Sequence, residues 1–366
     1  MNGTDRILIS FCIPTYNRAE LVRRSVMNIL EIDSAQIEVV VVDNDSPDGT
    51  ENAVRSIGDD RISYYRNPTN IGGVLNLIQT IKRAKGEWLF FLSDEDTVNV
   101  KNMEGVIEFL STGDYSEIAV LMGNVRNSDG SYYFKYDDKK FLKGDESVTK
   151  IGFSHHYMSG LMINKKFINA QQLDDYTLSD GIYPHTNIYT RACINGGAVT
   201  KNIDLCTIGG FEGHISHAVK PSDQFYFHPI NRLEQFKVFV KLADEIIVDL
   251  ELKIKMFELL YFRYLEASTF LYEHVLKTES LRNHFGVDKE TKNDLENKYD
   301  FQTEMNRFTS NAKTFLNEII DDPGVRTRLQ GSISDKMFRF RMKRIFWLIP
   351  EPLKKMLRTI YRKLKS

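Results

Sequence analysis

Over its first third the chain alternates apolar runs of strand length with stretches of helical periodicity. Ile7 to Ile13 is an almost unbroken apolar run that reads as a buried strand, and Pro14-Thr15-Tyr16-Asn17-Arg18 is the loop that leaves it. From Glu20 to Leu30 the apolar positions Leu21, Val22, Val26, Ile29 and Leu30 recur at helical spacing. Glu38 to Val42 is a second buried strand, closed by the turn-rich Asp43-Asn44-Asp45-Ser46-Pro47-Asp48-Gly49-Thr50. A helix from about Glu51, a short strand at Ile62 to Tyr65, a helix from Gly73 to Ala84 and a buried strand from Trp88 to Leu92 follow. Such alternation predicts an α/β fold: a Rossmann-like, mostly parallel sheet with flanking helices and right-handed crossovers.

Further along, the pattern is mixed and then helical. Ala119 to Gly123 and Ser159 to Asn164 read as strands, separated by the polar stretch Asn127 to Lys143. From about Asn231 the texture is helical, with long patterns at Leu233 to Val248, Leu252 to Tyr272 and Asp294 to Ile320. The predicted organisation is one α/β domain over 1–228, in two parts over 1–110 and 111–228, then a helical C-terminal region over 229–335 and a basic amphipathic tail over 336–366.

Sites in parallel α/β sheets lie in the crevice beyond the carboxyl ends of the strands. Asp43 follows one predicted strand and Asp94-Glu95-Asp96 another, so both acidic groups are expected to face one crevice. Three consecutive carboxylates after a buried strand repel one another unless something positive joins them. A hard cation such as Mg²⁺ or Mn²⁺, bridging carboxylate and diphosphate oxygens, is one such partner; a solvated acidic turn is the plainer alternative. The loop from Pro14 to Arg18, Thr15 included, offers backbone groups and the Tyr16 ring to a nucleotide base. Asn70-Ile71-Gly72-Gly73, followed by Asn76, opens a helix whose N-terminus favours anionic groups and whose glycines permit close backbone approach. A simple helix cap with packing glycines would look the same.

Together these segments resemble family 2 nucleotide-sugar glycosyltransferases of the GT-A fold, above all those that build bacterial surface polysaccharides. The resemblance rests on Ile13-Pro14-Thr15-Tyr16-Asn17-Arg18, Val42-Asp43 with the turn to Thr50, Asn70-Ile71-Gly72 and Leu92-Ser93-Asp94-Glu95-Asp96. It implies inverting, metal-assisted transfer from a nucleotide-diphosphate sugar to a glycan or lipid-linked acceptor. Carried over by position, it puts Pro14, Tyr16 and Asp43 at the nucleotide. Asp94 and Asp96 fall on the family's DxD-type motif, with Asp96 the direct metal ligand and Glu95 where many members have aspartate.

Many members carry a Glu-Asp pair that begins a helix running into an arginine, and one of the pair serves as general base. Counting back from Arg191 places Pro184 and His185 there instead. That leaves His185, an imidazole suited to neutral pH, and Asp180 in the preceding turn as base candidates; each reads equally as a structural residue. Gly209-Gly210-Phe211-Glu212-Gly213-His214-Ile215-Ser216-His217 reads as a loop able to close over the diphosphate, with His214 or His217 reaching metal or phosphate, or as a plain glycine-rich turn.

Composition narrows the partners. With 366 residues, 42% of them hydrophobic, the chain can bury a large core. A formal net charge of −2 gives no general attraction to nucleic acid. Cys12, Cys193 and Cys206 show no metal spacing and suit a reducing interior. No secretory leader or membrane-spanning run is read in the sequence, so a cytoplasmic protein is expected. The tail interleaves lysines and arginines with Met337, Phe338, Phe340, Ile345, Phe346 and Trp347, a pattern suited to an anionic bilayer surface. A peripheral position on the inner face of the cell membrane follows, with packing on the body or a homo-oligomer contact as the alternatives. A protein that kept the fold and lost catalysis, acting as a binding or scaffold module, is the competing function. A sugar nucleotidylyltransferase is disfavoured, because Pro14 to Arg18 contains no glycine.

Overall fold

The computed structural model describes residues 6–174, 184–209, 229–270, 274–284, 287–298 and 300–348. The N-terminal part runs β1 (Ile9–Thr15), α1 (Ala19–Leu30), β2 (Ile37–Asp43), α2 (Thr50–Arg55), β3 (Ile62–Arg66), α3 (Gly73–Arg83) and β4 (Trp88–Phe91). Then come β5 (Thr97–Val98), α4 (Val100–Thr112), β6 (Ile118–Arg126), β7 (Tyr132–Phe134), β8 (Lys139–Phe141), α5 (Asp145–Lys150), β9 (Leu161–Asn164) and α6 (Ala170–Asp174). After α7 (Pro184–Asn195) and β10 (Gly197–Thr207), helices α8 (Pro229–Ile246), α9 (Leu250–Phe270), α10 (Glu279–His284), α11 (Lys289–Lys298), α12 (Phe301–Ile319) and α13 (Pro323–Leu348) complete the fold.

One sheet, ordered β3-β2-β1-β4-β9-β6-β10-β5, organises the molecule, with β7 beside β6 and β8 beside β10. Its first four strands are parallel, as the alternation of strands and helices predicts. Beyond β4 the direction reverses: β9 lies antiparallel to both β4 and β6, and β10 runs parallel to β6. Both faces are covered, which is why β1 and β2 read as continuous apolar runs. Successive residues serve opposite cores. Phe11, Ile13, Val39 and Val41 pack with Val22, Val26 and Ile29 of α1. Cys12, Val40 and Val42 pack with Leu77, Ile78 and Ile81 of α3 and join the core that continues into α8, α9 and α12.

Three differences from the sequence reading have physical causes. The polar stretch Asn127 to Lys143 carries β7 and β8, whose residues are mostly exposed and leave no apolar signature. The pattern from Asp294 to Ile320 is two helices, because Asp300 caps α12 by accepting from the Thr303 amide and thereby ends the run before it. The boundary at residue 336 falls inside α13, where Ile333 and Met337 are buried and Lys336 pairs with Glu258 of α9. The tail therefore begins as part of the helical body. Among the described residues no helix is long and apolar enough to cross a membrane.

Candidate active site

The carboxyl ends of β1, β2 and β4 lie side by side, since Thr15 pairs with Asp43 and Cys12 with Phe91. Register alone thus brings Asp43 and the acidic triplet to the same edge of the sheet. Asn76, near the start of α3, ties the edge together: its amide donates to the Val42 carbonyl at 3.0 Å and lies 3.4 Å from the Thr15 carbonyl, and its oxygen accepts from Asn67 at 2.9 Å. It is only 2% exposed, so it holds strand ends and does not face the crevice. Gly72, which precedes α3, has φ +84°, a conformation that a side chain would strain. Asn70 accepts from the Asn44 amide at 2.7 Å and from the Gly72 amide at 3.0 Å, which fixes the turn that aims α3.

Asp43 is fully buried, with both oxygens engaged. One accepts from the Ser46 amide at 2.9 Å and the Ser46 hydroxyl at 2.5 Å; the other accepts from the Tyr64 hydroxyl at 2.6 Å. Tyr16, on the neighbouring loop, is 44% exposed, and Pro14 beside it is half-buried. On this flank the surface open to a ligand is aromatic ring and loop backbone.

The triplet is different. Asp94 accepts from the Thr15 hydroxyl at 2.6 Å and from Arg18 at 2.7 Å, and Glu95 also pairs with Arg18. Asp96, with no exposure, accepts from Ser159 at 2.5 Å, Tyr157 at 2.8 Å and the Gly209 amide at 2.8 Å. Arg24 donates to the Glu95 carbonyl at 2.8 Å. A side chain at residue 209 would collide with the Glu95 backbone at 2.0 Å, so only glycine lets the chain pass this close. Burial, with the Asp94 charge behind it, pushes Glu95 up to about 8 against the pull of Arg18. Burial also raises Asp96 to about 6, although its three donors oppose the rise. Burial works against the Arg18 charge, but Asp94 and Glu95 more than offset it and raise its pKa. The cluster therefore holds more negative charge than its neighbours neutralise.

That surplus fits a divalent cation. The donors are all carboxylate oxygens, the set that a hard ion prefers. Among the described residues no group of three His, Cys, Asp or Glu is placed to hold a metal ion, so an ion here would need further oxygen ligands from outside the chain. Asp94, Glu95 and Asp96 are the residues that would hold it.

His185, at the start of α7, is 5% exposed. Its Nε2 lies 3.2 Å from the His156 carbonyl, and burial lowers its pKa to about 4. It braces the segment that carries Tyr157 and Ser159, and this environment makes it a weak base. Asp180, His214 and His217 lie outside the described residues. Tyr157, Ser159 and the second arginine, Arg24, escaped the sequence reading. Arg24 on α1 sits far along the chain from the neighbouring pair Tyr157 and Ser159, and only the tertiary fold gathers them around the triplet.

The fold is of the GT-A type, and residues 10–170 match the family model described as glycosyl transferase family 2. The chain is similar to the abequosyltransferase RfbV of Salmonella typhimurium, at 27% identity over 223 residues, or 55% of this chain and 66% of that one. It is also 26% identical over 193 residues to the GalNAc(5)-diNAcBac-PP-undecaprenol beta-1,3-glucosyltransferase of Campylobacter jejuni, covering 50% of this chain and 61% of that one. It spans about half to two thirds of the length of the curated relatives it matches. Among solved structures, TarS 1-349 of S. aureus in complex with UDP superposes with a TM-score of 0.54 at 14% identity, over 84% of this chain and 90% of that one. At that identity the likeness establishes the fold.

Proposed function

We propose that the protein transfers a sugar from a nucleotide-diphosphate donor to a glycan or lipid-linked acceptor during cell-surface polysaccharide synthesis, with inversion at the anomeric carbon. The observation that carries this reading is the buried, under-neutralised triplet Asp94-Glu95-Asp96 beside the β1 and β2 loops. The similar abequosyltransferase and glucosyltransferase support the reaction class. A Mn²⁺ or Mg²⁺ ion at the triplet would supply positive charge to the departing diphosphate. The chain's own residues do the rest. Pro14 and Tyr16 offer the nucleotide base a surface, and Asp43 holds the turn behind it. Gly72 sets the approach of α3, and Arg18 pairs with Asp94 and Glu95 and holds them in place.

The attacking hydroxyl must lose a proton, and Asp180 and His185 remain the candidates for its acceptance. The burial and low basicity of His185 favour Asp180. Asp180→Asn is expected to remove kcat, while His185→Gln retains most of it; the reverse result would reassign the base. The basic and aromatic residues beyond Met337 suit an anionic bilayer, where a lipid-linked acceptor resides.

The decisive test pairs binding with turnover. UDP, GDP, CDP and dTDP are screened for thermal stabilisation with and without Mn²⁺, since a ligand that binds only the folded form raises Tm. The nucleotide that scores identifies the donor series for transfer assays. If no nucleotide stabilises the protein and no donor is turned over, the proposal is wrong and a scaffold role takes its place.

A further inference from the structure

Helix α1 covers the sheet with Val22, Ser25, Val26 and Ile29, and two of its other side chains reach the segment that follows β4. Arg24 donates to the Glu95 carbonyl at 2.8 Å, and the side-chain oxygen of Asn28 accepts from the Val98 amide at 2.7 Å. Residues four apart share one helix face, about 6 Å from each other along the axis. The two bonds therefore catch the chain at both ends of its passage from the acidic turn into β5. That strand ends the sheet order, paired with β10, and Asn28 supplies the acceptor that its outer edge needs.

The opposite flank is fixed as well. The Asn99 amide donates to the Leu205 carbonyl at 2.9 Å, the Asn102 side chain to the Asp204 carbonyl at 2.8 Å, and the Gly209 amide to Asp96 at 2.8 Å. Residues 95–102 are thus clamped between α1 and β10. The Asp96 amide donates to the Ser93 carbonyl at 3.0 Å, which closes a turn with Asp94 and Glu95 at its centre. Repulsion among the three carboxyl groups works to open that turn. Arg24 is exposed, and holding so long a side chain in one geometry costs rotamer entropy. Its charge-assisted bond to the Glu95 carbonyl offsets that cost. Unlike Arg18, which pairs with the carboxylates themselves, Arg24 grips the backbone and leaves the carboxylate oxygens to other partners.

We propose that Arg24 is a positioning residue of the transfer site: it holds the acidic turn closed against the repulsion of its own carboxylates, the arrangement on which cation binding depends. This rests on the glycosyltransferase reading and deepens it by naming a residue that acts on the reaction through the backbone of Glu95, without touching donor or acceptor. Helix α1 starts directly after Arg18, so one rigid element carries both the end of the nucleotide loop and the grip on the triplet.

The test compares the full chain with Arg24→Met, Arg24→Lys and Arg23→Met. Mn²⁺ is titrated in the presence of UDP, GDP, CDP or dTDP with Tm as the readout, and deuterium uptake over residues 93–99 is followed without metal. Arg24→Met should raise the Mn²⁺ midpoint about tenfold and speed exchange over 93–99 about fivefold. Arg24→Lys keeps a charged donor and should stay within about threefold of the unaltered protein in both readouts. Arg23→Met, at the adjacent exposed position, should change neither. A purely structural role would lower the metal-free Tm of Arg24→Met and leave its Mn²⁺ midpoint in place; that result overturns the proposal, as does unchanged exchange over 93–99. If neither Mn²⁺ nor any nucleotide stabilises the unaltered protein, the glycosyltransferase reading fails and takes this role with it, whereas a Mn²⁺ response that Arg24→Met leaves intact sinks the positioning role alone.

Discussion

Two acidic groups end neighbouring stretches of the same sheet, yet they are built on opposite principles. Asp43 is buried, and neutral donors meet both its oxygens: Ser46 within its own turn and Tyr64 from the adjacent strand. Asp94 and Glu95 share one guanidinium, that of Arg18, and Asp96 beside them accepts only from the neutral Tyr157, Ser159 and Gly209 donors, so three buried carboxyl groups lie beside a single pairing cation and two of them have raised pKa values. A solitary carboxylate whose oxygens are all matched by donors locks a turn. A carboxylate cluster short of positive charge is unfinished, and a cationic ligand completes it. Burial alone does not tell the two apart; the crowding of like charges beside too little positive charge does.

That contrast can be broken by substitution. Asp96→Ala should give the largest effect, a loss of transfer of about a hundredfold or more together with loss of metal-dependent nucleotide stabilisation; both are read by donor turnover and Tm with and without Mn²⁺. Turnover undiminished in that variant would leave the triplet without a catalytic part. Arg18→Met should come next. With Asp94 and Glu95 stripped of their shared partner, metal-free stability should drop by about 2–3 kcal/mol, below the range for a fully buried broken pair because Arg18 is partly solvated. Mn²⁺ should restore much of the loss in denaturant titrations. Asp43→Ala belongs to the other class: it leaves Tyr64 and Ser46 without their acceptor, should cost about 1–3 kcal/mol, and should gain nothing from added metal.

A smaller effect sharpens the same comparison through pH. Glu95 has a folded pKa of about 8 against an ordinary 4.5, so the fold binds its proton more tightly than the unfolded chain does. Its contribution to stability is present below pH 4.5 and is lost as pH rises through 8. Asp96 behaves alike, with its loss centred near pH 6. His155 and His185 act in the opposite direction: burial lowers them to about 3 and about 4, so their contribution grows with pH and is complete above 6.5. Between about pH 6.5 and 8 the carboxylate contribution alone changes among these four groups. The metal-free Tm should therefore fall over that window, and Glu95→Gln should flatten the fall. A Tm that rises equally in both proteins would contradict the charge surplus.

How much of this was legible beforehand follows from how local each signal is. The parallel half of the sheet could be read because a strand buried on both faces is mostly apolar, as β4 is throughout and as β1 and β2 are apart from Ser10, Thr15, Glu38 and Asp43. The acidic triplet could be read because it is contiguous and follows such a strand. The loop from Pro14 to Arg18 and the Asn70-Ile71-Gly72 turn could be read because backbone geometry there demands particular residue types. β7 could not, because an exposed edge strand has no apolar alternation. The separate roles of Asp43 and Asn76 were also out of reach, since a motif names the residue and not its partners.

The sequence by itself determined that strands and helices alternate, that carboxylates end two of those strands, and that the C-terminal half is helical. Each of these follows from neighbours in the chain. Tertiary structure alone decided which carboxylates are satisfied and which are short of charge. It also decided that Tyr157, Ser159 and Gly209 converge on Asp96 from two distant segments, and that Arg24 reaches the Glu95 carbonyl from α1. The reason is physical: hydrogen bonding and desolvation act over a few ångströms, and only the tertiary fold brings residues 24, 96, 157 and 209 within that range.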